Sequence, residues 1–157
     1  MQSFTKQLLQ VFESWGGELS PKDFAKFSLP YLKDIATRVK AALGARSVPM
    51  VVFARGSHYA LESLLETEYD IISLDWTMDP AQARARTQSR VVLQGNADPC
   101  ILYADEPAIR EHVRDMFTGF GIKSKYIANL GHGMHPDHDP EHLKMYLQAI
   151  VSLWQTS

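Results

Sequence analysis

The residues able to do chemistry in this chain sit in short polar segments, and the sharpest of these is Gly131-His132-Gly133. An imidazole titrates near neutrality and can donate or accept a hydrogen bond. Flanking glycines let a backbone approach a ligand closely and leave the ring uncovered. The alternative reading is a histidine that caps a strand by bonding a backbone carbonyl. Ser14 is a second candidate, but no Gly-x-Ser-x-Gly elbow surrounds it and no acid–base order is readable. Its hydroxyl therefore reads as a hydrogen-bonding group rather than a nucleophile. Arg55, beside Gly56, has the planar fork that holds a carboxylate or phosphate bidentately. The alternative for Arg55 is a strand-end ion pair with Glu13 or Asp75.

From Gly131 to His142 the chain reads GHGMHPDHDPEH, with four histidines at gaps of three, three and four. Those gaps do not fit the helical His-Glu-x-x-His pattern, and Pro136 and Pro140 interrupt any helix. Cys100 is the only cysteine, so neither an intrachain disulfide nor a thiolate zinc cage can form, and no metal is expected. Cys100 itself reads as a buried thiol. His142 falls in the first turn of the last helix, a poor place for a cation because it meets the positive end of the helix dipole. Gly16-Gly17 matches neither the dinucleotide nor the phosphate-loop glycine pattern.

The elements that must position these groups alternate along the chain. Leu8–Phe12, Met50–Ala54, Ile71–Leu74, Val91–Leu93 and Tyr126–Leu130 are short apolar runs, as expected of parallel strands buried on both faces. Ser20-Pro21, Asp79-Pro80 and Asp139-Pro140 each place a capping side chain before a proline at the first helical position. Asp105 caps a helix whose stripe is Ile109, Val113, Met116, Phe117 and Phe120, and Gly121 stops it. The last helix carries Leu143, Tyr146, Leu147, Ile150 and Trp154 at helical spacing. Pro30 predicts a break within the periodic stretch from Phe24 to Leu43. The β-α alternation means a parallel sheet with right-handed crossovers, whose site lies at the carboxyl ends of the strands. Those ends are all polar or glycine-rich: Glu13–Gly17, Arg55–His58, Asp75-Trp76, Gln94–Pro99 and Gly131–Gly133.

Composition sets the outer limits. The chain has 157 residues, 45% hydrophobic and 22% charged, and its 16 Lys+Arg against 18 Asp+Glu give a net charge of −2. A length of this order suits one domain that buries roughly 70% of its unfolded surface. No basic excess exists to drive nucleic-acid binding by counterion release. There is no long apolar run for a membrane span or signal peptide, which predicts a cytoplasmic protein. A complete (β/α)₈ barrel takes about 200 to 250 residues, more than this chain provides.

Several segments together resemble the carboxyl-terminal part of uroporphyrinogen decarboxylase: LQVFES (Leu9–Ser14), FAKFSLPY (Phe24–Tyr31), LDWT (Leu74–Thr77), LQGNADPCILY (Leu93–Tyr103) and NLGHG with Pro136-Asp137. The order and spacing of LQGN-x-DP and NLGHG are highly specific. The resemblance implies a fold of α/β class, about five β/α units from the carboxyl-terminal portion of a TIM (β/α)₈ barrel, with residues 1–157 forming a single partial domain. It implies cofactor-free decarboxylation of the four acetate side chains of uroporphyrinogen to coproporphyrinogen. Protonating a pyrrole ring makes that ring the electron sink for departing CO₂. By motif, Ser14 and His132 contact substrate carboxylates, His132 is also the candidate for proton transfer, Phe12 lines the pocket, and Arg55 is weakly matched to the anionic substrate.

The family's aspartate beneath the pyrrole nitrogens, its arginine-bearing segment and its substrate-binding tyrosine belong to an amino-terminal part with no match here. A truncated decarboxylase is therefore expected, one that acts in a homodimer or with a complementing amino-terminal fragment. The alternatives are a non-catalytic porphyrinogen- or partner-binding remnant and, fitting less well, a cobalamin-dependent methyltransferase of the same superfamily. The latter needs a cysteine and histidine zinc site that Cys100 alone does not supply. Unpaired sheet edges predict self-association or a partner chain.

Overall fold

The computed structural model describes residues 7–121 and 125–156. The chain divides into two compact units, Met1–Ser73 and Leu74–Ser157.

The first unit holds β1 (Leu9–Glu13), α1 (Pro21–Phe27), α2 (Leu29–Leu43), β2 (Met50–Ala54), α3 (Leu61–Leu65) and β3 (Ile71–Ser73). β2 is the central strand, parallel to β1 with Phe12 opposite Phe53 and parallel to β3 with Val52 opposite Ile72. Its five residues are all buried, as continuous apolar runs in parallel sheets should be. Phe24, Leu32, Ala36, Leu61 and Leu64 of the helices are buried as well. The Ser20 side chain accepts the Asp23 N–H at the start of α1, with Pro21 in the first turn. The expected break falls at Ser28, two residues before Pro30. Pro30 then occupies the first turn of α2, where its missing N–H leaves no bond unmade. The Tyr69 hydroxyl donates to the Leu32 carbonyl at 3.0 Å, and burial pushes its pKa up to about 12.

The second unit holds α4 (Pro80–Thr87), β4 (Val92–Ala97), α5 (Glu106–Phe120), β5 (Tyr126–Leu130) and α6 (Pro140–Thr156). β4 and β5 are parallel, with Leu93 opposite Tyr126 and Ala97 opposite Leu130. Asp79 and Asp105 accept N–H groups of Gln82 and Ala108 and cap α4 and α5; Asp139 accepts the Glu141 N–H at the start of α6. The α5 stripe is as expected: Ile109, Val113, Met116, Phe117 and Phe120 are all buried.

Three expectations need correction. β4 runs on through Gln94, Gly95, Asn96 and Ala97, which the apolar-run criterion assigned to a loop; these residues are buried because their polar groups have partners inside the fold. In α6 the buried residues are Tyr146 and Ala149, while Leu147 and Trp154 of the expected stripe are 51% and 46% exposed. Apolar residues occupy more than one side of that helix, so spacing alone could not select the buried one. Cys100 is exposed rather than buried. It lies in the 3₁₀ turn Pro99–Tyr103, where Asp98 accepts its N–H at 2.9 Å. The neighbouring Asp98 carboxylate raises the thiol pKa.

Candidate active site

In the first unit, β1 and β2 end side by side. The Arg55 N–H donates to the Glu13 carbonyl at 3.0 Å, which sets Ser14 and Arg55 at adjacent strand ends, and the Gly17 N–H returns to the Arg55 carbonyl at 2.9 Å. Ser14 is exposed and Arg55 half-buried. Phe12 is 66% exposed and meets Phe53 edge-on with ring centres 6.1 Å apart. Three of the four sequence-derived site residues therefore share one rim of this unit. The suggested Arg55–Glu13 ion pair is not formed: Glu13 Oε1 accepts the Trp15 N–H at 3.1 Å, and Glu13 Oε2 is buried without a partner.

The loop after β1 is held from below by Tyr59. Its hydroxyl donates to the carbonyls of Gly16 at 2.7 Å and Leu19 at 3.1 Å. Burial raises the Tyr59 pKa and the Glu13 carboxylate adds to the rise, against a hydrogen bond with Ser57 that lowers it. No local pattern marks this tyrosine, because its partners are backbone carbonyls some forty residues away.

In the second unit, three strand-end segments converge. The Leu74 N–H donates to the Gln94 carbonyl at 2.8 Å, and the Gly131 N–H donates to the Ala97 carbonyl at 2.7 Å. Asn96 is the fastener: its side-chain amide donates to the carbonyls of Asp75 at 2.9 Å and Met78 at 2.6 Å. The buried Asp75 turns its carboxylate onto the Thr77 N–H at 2.9 Å and also takes the Thr77 hydroxyl.

Two glycines make this convergence sterically feasible. A Cβ on Gly95, whose φ is +133°, would lie 2.6 Å from the Leu74 carbonyl oxygen. A Cβ on Gly131 would lie 2.5 Å from the Trp76 nitrogen. Close packing of backbone on backbone therefore requires glycine at position 131. Gly133 has open space around it, and His132 between them is exposed. The His132 ring stands perpendicular to the Trp76 indole with centres 5.8 Å apart. Asp75, Trp76 and Asn96 were visible in the sequence as polar strand-end residues, but their joint role required the fold.

Two further histidines of the Gly131–His142 segment have partners inside the fold. His138 is buried and its Nδ1 accepts the His135 N–H at 3.2 Å, while its ring meets Tyr103 edge-on at 4.4 Å. His142 Nδ1 lies 2.8 Å from the Leu102 carbonyl oxygen, which accepts a hydrogen bond from an Nδ1–H. Among the described residues no group of three or more His, Cys, Asp or Glu side chains could hold a metal ion.

Parallel β/α units with polar, glycine-dependent strand ends define the class, a TIM-barrel-type α/β protein whose chemistry belongs at the carboxyl ends of its strands. The uroporphyrinogen decarboxylase (URO-D) family model matches residues 6–153. The chain belongs to that family. The uroporphyrinogen decarboxylase of Salinibacter ruber is 56% identical over 144 residues, and the human enzyme of that name 49% identical over 147. Each match takes in 92% of this chain and 40% of the relative, so the chain spans well under half the length of the curated relatives it matches. A solved methyltransferase structure from Methanosarcina mazei superposes with a TM-score of 0.78 over 94% of this chain and 42% of that one. At 16% identity this likeness concerns the fold alone.

Proposed function

We propose that residues 1–157 form a single partial barrel domain contributing to cofactor-free decarboxylation of uroporphyrinogen to coproporphyrinogen. The observation that carries this reading is the family match over 6–153, which includes every strand end described above. Ser14 donates a hydrogen bond to a carboxylate side arm of the tetrapyrrole, and Arg55 at the adjacent strand end adds a cation to the same anionic substrate. The exposed Phe12 ring supplies an apolar wall. His132 contacts a second carboxylate and is the candidate proton donor.

The chemistry needs a protonated pyrrole ring to accept the electron pair released as CO₂ leaves, and then a proton delivered to the exposed carbon. The group that stabilises the cationic ring is expected in the amino-terminal part of the family, so activity needs that part as well. A homodimeric and cytoplasmic setting belongs to the same proposal.

A second reading is a non-catalytic porphyrinogen-binding or partner-binding remnant. Anaerobic assays of the chain alone and mixed with a polypeptide supplying the amino-terminal part of a relative separate the two. Coproporphyrinogen formed only in the mixture supports the enzyme, whereas binding of uroporphyrinogen with no turnover in either case favours the remnant.

A further inference from the structure

The second unit contains a cavity beside the strand ends, with which it shares Trp76 and Asn96. It has a volume of about 240 Å³ and lies between the start of α4, the end of β4 and one side of α5. At about 30 Å³ per water this is room for roughly eight water-sized groups, which suits a small organic molecule. Its lining includes Trp76, Met78 and Met116, which are apolar and polarisable, and Asp79, Asp98, Asp115 and His112, which are polar.

The charge of this lining is one-sided. No lysine or arginine contributes to it. Asp98 Oδ1 is engaged with the Cys100 N–H at 2.9 Å, but Asp115 makes no ion pair among the described residues. His112 Nε2 is buried and has no hydrogen-bond partner, a deficit that a native fold seldom leaves unfilled. Burial lowers the His112 pKa, against the pull of Asp115 and Asp98, which favours a neutral ring able to accept a hydrogen bond. An anion would meet the carboxylates unfavourably, and a purely apolar guest would leave His112 unpaired.

We infer that this cavity binds a small organic cation, a primary ammonium or amidinium carried on a short apolar body. Its charged N–H groups face Asp115 and His112, and its apolar body packs against Trp76, Met78 and Met116. The inference concerns binding only and stands apart from the decarboxylase reading.

The test is a titration of the full chain with benzylammonium and, separately, with its neutral counterpart benzyl alcohol, followed by calorimetry and by the indole N–H signals in NMR. Saturable binding of benzylammonium is expected, with benzyl alcohol weaker by at least about tenfold. Asp115 is solvent-facing on α5, so Asp115→Asn should fold normally and weaken benzylammonium by about tenfold. Equal affinity for the two probes, no binding of benzylammonium, or unchanged affinity in a folded Asp115→Asn protein would overturn the inference. The comparison of probes on the unaltered chain decides the matter even if the variant is unstable.

Discussion

Asn96 shows how one side chain can organise a whole strand end. Its two amide protons satisfy the carbonyls of Asp75 and Met78, both within a buried setting where an unmade bond is expensive. Asn96→Ala should therefore destabilise the protein by about 2–4 kcal/mol in chemical denaturation, since two buried acceptors lose their donor. Asp70 gives a pH-dependent counterpart. Burial would raise its pKa, but the Lys40 ammonium and the Met50 N–H outweigh this and hold it below its ordinary value of 3.8. A depressed carboxyl pKa adds stability above the unfolded value and loses it as pH falls through the folded one. Unfolding midpoints followed below about pH 4 should accordingly fall less steeply for Asp70→Asn than for the unaltered chain. At this scale the sequence was a partial guide. His132, Ser14, Phe12 and Arg55 were legible as strand-end residues. Tyr59 and the orphaned Glu13 Oε2 were not, because what defines them is tertiary contact with backbone distant in the chain or its absence.

The elements were read most surely where the signals were local. Caps at Ser20, Asp79 and Asp105 appear as expected because each bonds an N–H only three residues on. Asp105→Ala should cost about 1 kcal/mol, visible as a lower thermal midpoint, by leaving the Ala108 N–H unsatisfied at the start of α5. β4 was underestimated for the converse reason. Gln94 and Asn96 look like loop residues until their partners are known, and Gly95 looks like a breaker until Leu74 is seen to pass where its Cβ would be. The same reasoning gives a test at Gly131. A methyl there would press on the Trp76 nitrogen and the Asn96 carbonyl, so Gly131→Ala should destabilise by about 1–3 kcal/mol and disturb the Trp76 indole signal. A fully stable Gly131→Ala protein with an unshifted indole would show that the close approach is not needed. α6 illustrates the limit of periodicity, since Leu147, Val151 and Trp154 are apolar yet 46–53% exposed.

At the scale of the whole molecule, length and family pull in opposite directions. A chain of 157 residues is comfortable as a domain, yet its relatives of known name are far longer, and it matches 40% of their length. No helix among the described residues is long and apolar enough to cross a membrane. Apolar side chains are exposed on β1 and α6, including Phe12 at 66% and Val151 at 53%. Sedimentation velocity should show self-association or poor solubility in the chain alone, and a monodisperse, cooperatively unfolding monomer would contradict that expectation. The central claim is that these strand ends carry part of a tetrapyrrole site, with His132 in contact with the substrate. Its most direct measurement is coproporphyrinogen formation by the chain reconstituted with an amino-terminal polypeptide, compared between His132 and His132→Ala. Turnover in the reconstituted protein and a loss of at least about tenfold in kcat/KM for His132→Ala are expected. Unchanged kinetics in that variant, or full turnover by the chain with no complement, would contradict that claim.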